Sequence, residues 1–182
     1  MMTKIKLMTA LFIMAAFLSI KTAKAQTIGD GKFRFGIGAD GLLPVGSLSN
    51  TESFALGITP RLQYSLSDKL ALTFTSGFYH FFPQKYYLTD GLGNKYYAKY
   101  HLDIVPVKIG LKTFVTKNIY LAGEVGAGFE VEDGGGPVKL ILSPSVGYAS
   151  KHWDLGVRYE NFSGGNNAYG VVGLRAAYGF GL

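Results

Sequence analysis

Three histidines and one glycine-rich hexapeptide are where this chain carries residue types fit for catalysis or cofactor binding. Histidine acts as a general base when a nucleophile lies within ~3 Å of it. His80 sits in Phe78-Tyr79-His80-Phe81-Phe82. Ser76, four positions before it, is roughly 13 Å away on an extended strand rising ~3.4 Å per residue. A partner on an adjoining strand stays open. His101 and Asp103, two apart, share one strand face and are within hydrogen-bonding reach, while His152 falls in a turn. Gly36-Ile37-Gly38-Ala39-Asp40-Gly41 has the spacing G-x-G-x-x-G, whose chemistry needs a helix to begin at once so that its N–H groups meet a pyrophosphate. Leu42-Leu43-Pro44 begins no helix, so no dinucleotide is expected. The absence of cysteine from the 182 residues excludes disulfides, thiol catalysis and Cys-ligated zinc. No cofactor and no metal are expected.

The remaining chemistry is ionic: Arg34, Asp40, Arg61, Lys108, Lys112, Glu124, Glu130, Asp154, Arg158, Glu160 and Arg175. What positions them is strict alternation. Phe33, Phe35, Ile37 and Ala39 alternate with Arg34, Gly36, Gly38 and Asp40; Leu56, Ile58, Pro60, Leu62 and Tyr64 alternate with Gly57, Thr59, Arg61, Gln63 and Ser65. Leu70, Leu72, Phe74, Phe78 and Phe82 oppose Ala71, Thr73, Thr75, Gly77 and Tyr79, and Val107, Ile109 and Leu111 oppose Lys108, Gly110 and Lys112. The parity of that fourth run slips at Val105-Pro106, which predicts a bulge there. Four further runs, beginning near Ile119, Leu140, Trp153 and Val172, repeat the pattern. Period 2 means strands, eight in all. Tight turns at Ser67-Asp68-Lys69, Thr116-Lys117-Asn118 and Ser150-Lys151-His152 alternate with longer links at 44–53, 83–99, 132–139 and 162–168. That rhythm is an up-and-down meander with every short turn at one end.

The first 25 residues stand apart. Lys4 and Lys6 precede the apolar run Leu7 to Ile20, and Ala23-Lys24-Ala25 follows, the layout of a secretory signal peptide removed after Ala25. The leader holds four lysines and no acid, so most of the formal net charge of +6 leaves with it. Nucleic acid loses its electrostatic support, and no nucleic-acid partner is expected. The domains are therefore the leader, 1–25, and a barrel domain, 26–182.

Eight meandering strands close into a barrel with either an apolar lumen, as in soluble barrels, or an apolar exterior, as in membrane ones. The polar stripe here is crowded with glycine, which suits a tightly curved interior. Its basic and acidic residues nearly balance, which suits mutual pairing. The apolar stripe carries aromatics in two groups: Phe33, Tyr64, Tyr148, Trp153, Tyr178 and Phe180 near the short turns, and Phe54, Phe78, Phe82, Phe129, Tyr159 and Tyr169 toward the long links. Two such belts around Leu, Val, Ile and Ala make a lipid-facing wall. The expected fold is all-β: a closed eight-stranded antiparallel up-and-down transmembrane barrel.

With leader, eight runs and loop rhythm together, the whole chain resembles the small eight-stranded bacterial outer-membrane β-barrel proteins, the porin-family or outer-membrane-protein β-barrel domain group. Leu102 to Lys112 resembles that group's fourth strand. The ending Leu174, Ala176, Tyr178, Phe180 and Leu182 resembles its C-terminal assembly signal, with leucine in place of the usual last phenylalanine. The resemblance implies an integral outer-membrane location in a Gram-negative cell envelope, with the short turns in the periplasm. It implies outer-membrane lipid and lipopolysaccharide as surroundings, and the barrel-assembly machinery and periplasmic chaperones as partners during biogenesis. It does not imply one activity.

An eight-stranded barrel leaves an interior about wide enough for side chains alone, so the ionic residues are expected to fill it as a salt-bridged core. The longest link carries Tyr86, Tyr87, Tyr96, Tyr97 and Tyr100 around an Asp90-Gly91 and Gly93-Asn94 turn, which predicts a hairpin above the membrane. Those tyrosines either extend the outer belt or form a contact surface. The expected function is non-enzymatic, structural or loop-presenting; narrow passage of small solutes is the alternative, and a lipid A-modifying enzyme the third class.

Overall fold

A computed structural model describes residues 32–84, 86–89, 95–98, 102–131, 136–165 and 168–181. The leader therefore lies outside the described residues, as do His101, Tyr100 and Leu182. The strands are β1 (Phe33–Val45), β2 (Glu52–Ser65), β3 (Leu70–Ser76), β4 (Phe78–Pro83), β5 (Tyr86–Thr89), β6 (Lys95–Ala98), β7 (Asp103–Phe114), β8 (Ile119–Val131), β9 (Val138–Ala149), β10 (Trp153–Ser163) and β11 (Tyr169–Gly181). β1 pairs antiparallel with both β2 and β11, so the sheet closes on itself and leaves no edge. β3 and β4 form one barrel strand. They share a single register on each side, Arg61↔Thr75 with Ile58↔Phe78 against β2 and Ser76↔Val107 with Tyr79↔Ile104 against β7. The result is a closed barrel of eight antiparallel strands, with the short turns and both barrel termini at one end.

The wall is inverted relative to a soluble barrel. Ile58 is 65% exposed and Leu174 62%, while Lys108, Lys112 and Glu160 are fully buried. A surface this apolar is stable only in hydrocarbon, at roughly 25 cal/mol per Å² of apolar area kept from water. The barrel therefore spans a membrane, its backbone groups satisfied strand to strand. Cross-strand ring pairs mark both rims: Phe33–Tyr64 at 4.7 Å and Trp153–Tyr178 at 5.4 Å near the short turns, Phe54–Phe82 stacked at 4.5 Å near the long links.

Two expectations are corrected, and the open question of a partner for His80 is answered. No bulge occurs at Val105-Pro106, since β7 holds one register against β8 from Asp103↔Val131 to Phe114↔Tyr120. The apparent parity slip arises because Ile104 and Pro106 point inward, where part of the lumen is apolar. The observed register shift lies instead between Glu52 and Phe54 in β2. Tyr169 does not belong to the outer belt. It is half-buried inside, its ring stacked on Phe162 at 5.0 Å. Asp103 meets His80 across β4 and β7, with Nδ1 to Oδ1 at 2.6 Å.

The interior is layered. At the long-link end, Leu42, Ala55, Tyr79, Phe81, Ile104, Ile141, Phe162 and Val171 pack into a buried apolar cluster. A short 3₁₀ turn, Gly46–Asn50, folds Leu48 onto it; Gly46 has φ +69°, a left-handed conformation that only glycine adopts without strain. Phe114, Tyr120 and Ala149 form a smaller cluster at the short-turn end. Most of the buried ionic residues lie between the two.

Candidate functional site

Register explains how long charged side chains fit in so narrow a lumen. Asp40 lies opposite Gly57, Arg61 opposite Gly36, Lys108 opposite Gly126, Glu124 opposite Gly110, Arg158 opposite Gly173 and Arg175 opposite Gly156. A glycine beside each charge leaves the lateral room that a second side chain would take. Those glycines do not serve flexibility; they are the space into which the ionic layer folds.

Two linked ion-pair groups fill that space. Glu160 gathers Lys108 Nζ, Arg158 Nε at 3.0 Å and the Ser143 hydroxyl at 3.3 Å. Arg158 also donates Nη1 to Asp40 at 2.5 Å and Nη2 to the Tyr79 hydroxyl at 3.0 Å. Asp40 accepts from Thr59 and lies 3.5 Å from Arg175 Nη1. Glu124 accepts from Arg61 at 3.2 Å and from the Thr75 hydroxyl at 2.7 Å, with Lys108 Nζ 3.6 Å away. Lys112 donates to Asp154 at 2.5 Å and stands 3.7 Å above the Tyr120 ring, whose hydroxyl holds the other Asp154 oxygen at 2.6 Å.

Two of the eleven ionic residues lie outside this layer. Arg34 is half-buried at the short-turn rim and donates to the Lys151 carbonyl at 3.1 Å. Glu130 is buried by the apolar cluster and accepts from the Tyr169 hydroxyl at 2.5 Å. Sequence reasoning missed Glu52 and Lys139, both buried at the long-link end, where Lys139 donates to the Gly164 carbonyl at 2.7 Å. It also missed the apolar closure, although a signal was present. Leu42-Leu43, Phe81-Phe82, Ile104-Val105, Ile141-Leu142 and Val171-Val172 are doubled apolar residues, all at the long-link ends of strands, where both faces of the wall are buried in oil or core.

One consequence is measurable. Glu124→Ala leaves Arg61 with only its Thr75 bond, so stability should fall by about 2 kcal/mol, the cost of stranding a buried donor. A lowered urea midpoint of the detergent-solubilised barrel is the expected readout; an unchanged midpoint means that water, not Glu124, satisfies Arg61.

Outside the barrel proper, β5 and β6 form a separate two-stranded ladder with Tyr87 opposite Tyr97 and Leu88 opposite Tyr96. The hairpin therefore exists as a strand pair, with its tip outside the described residues. On the wall below it, the His80–Asp103 pair faces outward at the long-link rim, half-exposed, with Phe82 edge-on to the imidazole at 4.7 Å. Of the residues expected to form a C-terminal assembly signal, Leu174, Ala176, Tyr178 and Phe180 all face outward on β11.

No family model matches the chain, and no curated protein matches it in sequence. Solved structures do. The attachment invasion locus protein Ail of Yersinia pestis superposes with a TM-score of 0.57 at 13% identity, over 83% of this chain and 99% of that one. Ail in complex with the heparin analogue sucrose octasulfate gives 0.54 at 14% identity, with the same coverage. The N-terminal β-barrel domain of Pseudomonas aeruginosa OprF gives 0.51 at 12% identity, over 83% and 100%. These are small outer-membrane barrels, and at such identities the likeness is one of fold.

Proposed function

We propose that this chain is an integral outer-membrane protein that acts without catalysis, as a closed, rigid plug in the membrane that holds its long links and the β5–β6 hairpin outside the cell. The observation that carries this reading is the layered interior: an ionic layer bonded across the lumen, with apolar clusters packed at both ends. Such an interior supports a scaffold better than a conduit. Secretion by the leader 1–25, the barrel domain 26–182, insertion by the barrel-assembly machinery reading the β11 face, delivery by periplasmic chaperones, and contact with lipopolysaccharide belong to the same reading. So does binding through Tyr86, Tyr87, Tyr96, Tyr97 and Tyr100, since tyrosine supplies contact area at low entropy cost. The heparin analogue held by Ail makes sulfated glycan a reasonable first ligand to try on the outer loops.

Planar-bilayer recording tests the closed lumen. No stable conductance is expected, because water must cross the Phe81, Ile104 and Phe162 layer to pass. A reproducible open channel would replace this reading with narrow solute passage. The His80–Asp103 pair on the outer rim gives the third class a foothold; lipid A mass spectra with and without the protein separate it, and unchanged spectra are expected.

A further inference from the structure

The ionic layer is not balanced. Arg61, Lys108, Lys112, Arg158 and Arg175 face Asp40, Glu124, Asp154 and Glu160, and Arg34 adds a further cation from the short-turn rim. Most of the carboxylates are already committed: Asp154 to Lys112 and Tyr120, Glu124 to Arg61 and Thr75, Asp40 to Arg158 and Thr59. An uncompensated buried charge costs several kcal/mol, on an order-of-magnitude scale, unless something of opposite sign sits beside it.

Three of these cations come together in one place. A cavity of about 20 Å³ lies in the short-turn half of the lumen, with Arg34, Arg61, Gln63, Asp154, Arg175 and Gly179 among its walls. Three arginines therefore line it against one carboxylate whose two oxygens are already taken, although Arg61 is also held by Glu124 and Thr75, and Arg175 by Thr59 with Asp40 at 3.5 Å. Arg175 is 5% exposed, and its Nε makes no hydrogen bond among the described residues. Glycines make room for the arginines: a Cβ on Gly179 would fall 2.7 Å from Arg34 Nη2, and one on Gly38 would fall 2.6 Å from Arg175 Nη1. The volume suits one water-sized occupant.

We infer that this cavity is a binding site for a single small monovalent anion of the halide class, held by Arg34, Arg61 and Arg175. The anion completes the charge balance of the layer and takes the free Arg175 donor. Arg34, half-exposed at the rim, marks the side from which it enters, so the site exchanges with the compartment facing the short turns. Nothing in this inference depends on what the outer loops bind, and its test reads neither adhesion nor conductance.

The experiment uses the protein purified from membranes in detergent, melted at one ionic strength in sodium chloride, sodium bromide or sodium gluconate. Gluconate is too bulky to enter, so a higher melting temperature in chloride and bromide, rising to saturation with concentration, is expected. Arg175→Met should erase the difference between salts. Should that variant fail to assemble, Arg34→Met, at the half-exposed rim, is expected to weaken halide dependence at least tenfold in midpoint concentration. Crystals grown in bromide should show an anomalous peak among the three guanidinium groups. Identical melting in all three salts, halide dependence that survives both substitutions, or a bromide-free cavity holding only water would each overturn the site.

Discussion

Glu160→Ala is expected to destabilise the barrel by about 3–5 kcal/mol, the cost of removing one partner from a buried ion pair. The side chain is fully buried and is the point where Lys108, Arg158, Ser143 and Tyr79 converge. Without it, Lys108 keeps only Tyr79 and the more distant Glu124, deep in a lumen closed at both ends. Arg158 retains Asp40, so the loss falls mainly on the lysine. The measurement is the urea midpoint of refolding into detergent or bilayers, compared with the parent chain.

A second substitution separates attraction from relief of burial. If Glu160 matters because Lys108 would otherwise be stranded, then Lys108→Met combined with Glu160→Leu should recover most of the lost stability, since apolar replacements of a buried pair are often neutral or better. A double variant no more stable than Glu160→Ala would mean that the pair itself, with its bonds to Arg158 and Tyr79, holds the strands in place. An unchanged single variant would mean that the lumen is wet enough to screen Lys108, and the closed-interior reading would fall with it.

Strand count, turn rhythm and wall polarity were legible because period 2 survives without register. Ile58 and Leu174 point outward whichever residues they face, so the lipid-facing stripe could be read from one strand at a time. What each charge touches could not. Lys108 and Glu160 are 52 positions apart in the chain and meet across the lumen, a distance that depends on barrel shear and tilt. The same limit hid the glycine beside six charges of the layer: the polar face was plainly glycine-rich, but Lys108↔Gly126 or Arg158↔Gly173 emerges only once pairing is fixed. The error at Val105-Pro106 had another cause. Treating the inner face as uniformly polar turned the inward Ile104 into evidence of a bulge, when it belonged to an apolar layer announced by doubled apolar residues. Tyr169 was misplaced for the same reason, an inward aromatic assigned to the belt because aromatics were expected outside.

Gly126→Val should prevent assembly altogether. A Cβ at Gly126 would fall 2.6 Å from the Lys108 Cα, a backbone atom that cannot swing aside as a side-chain tip can. Relief requires β7 and β8 to separate locally, which breaks ladder hydrogen bonds and displaces Lys108 from Glu160. The expected loss therefore exceeds the roughly 1–3 kcal/mol of ordinary overpacking. On unheated gels the variant should run as unfolded chain, and its yield in the membrane fraction should collapse. Ala127→Val, one residue along and facing lipid, ends in the same side chain where there is room and should assemble normally. If Gly126→Val reached parental yield, β7 and β8 could not be paired with Lys108 opposite Gly126, and the placement of the ionic layer would have to be rebuilt from a different register.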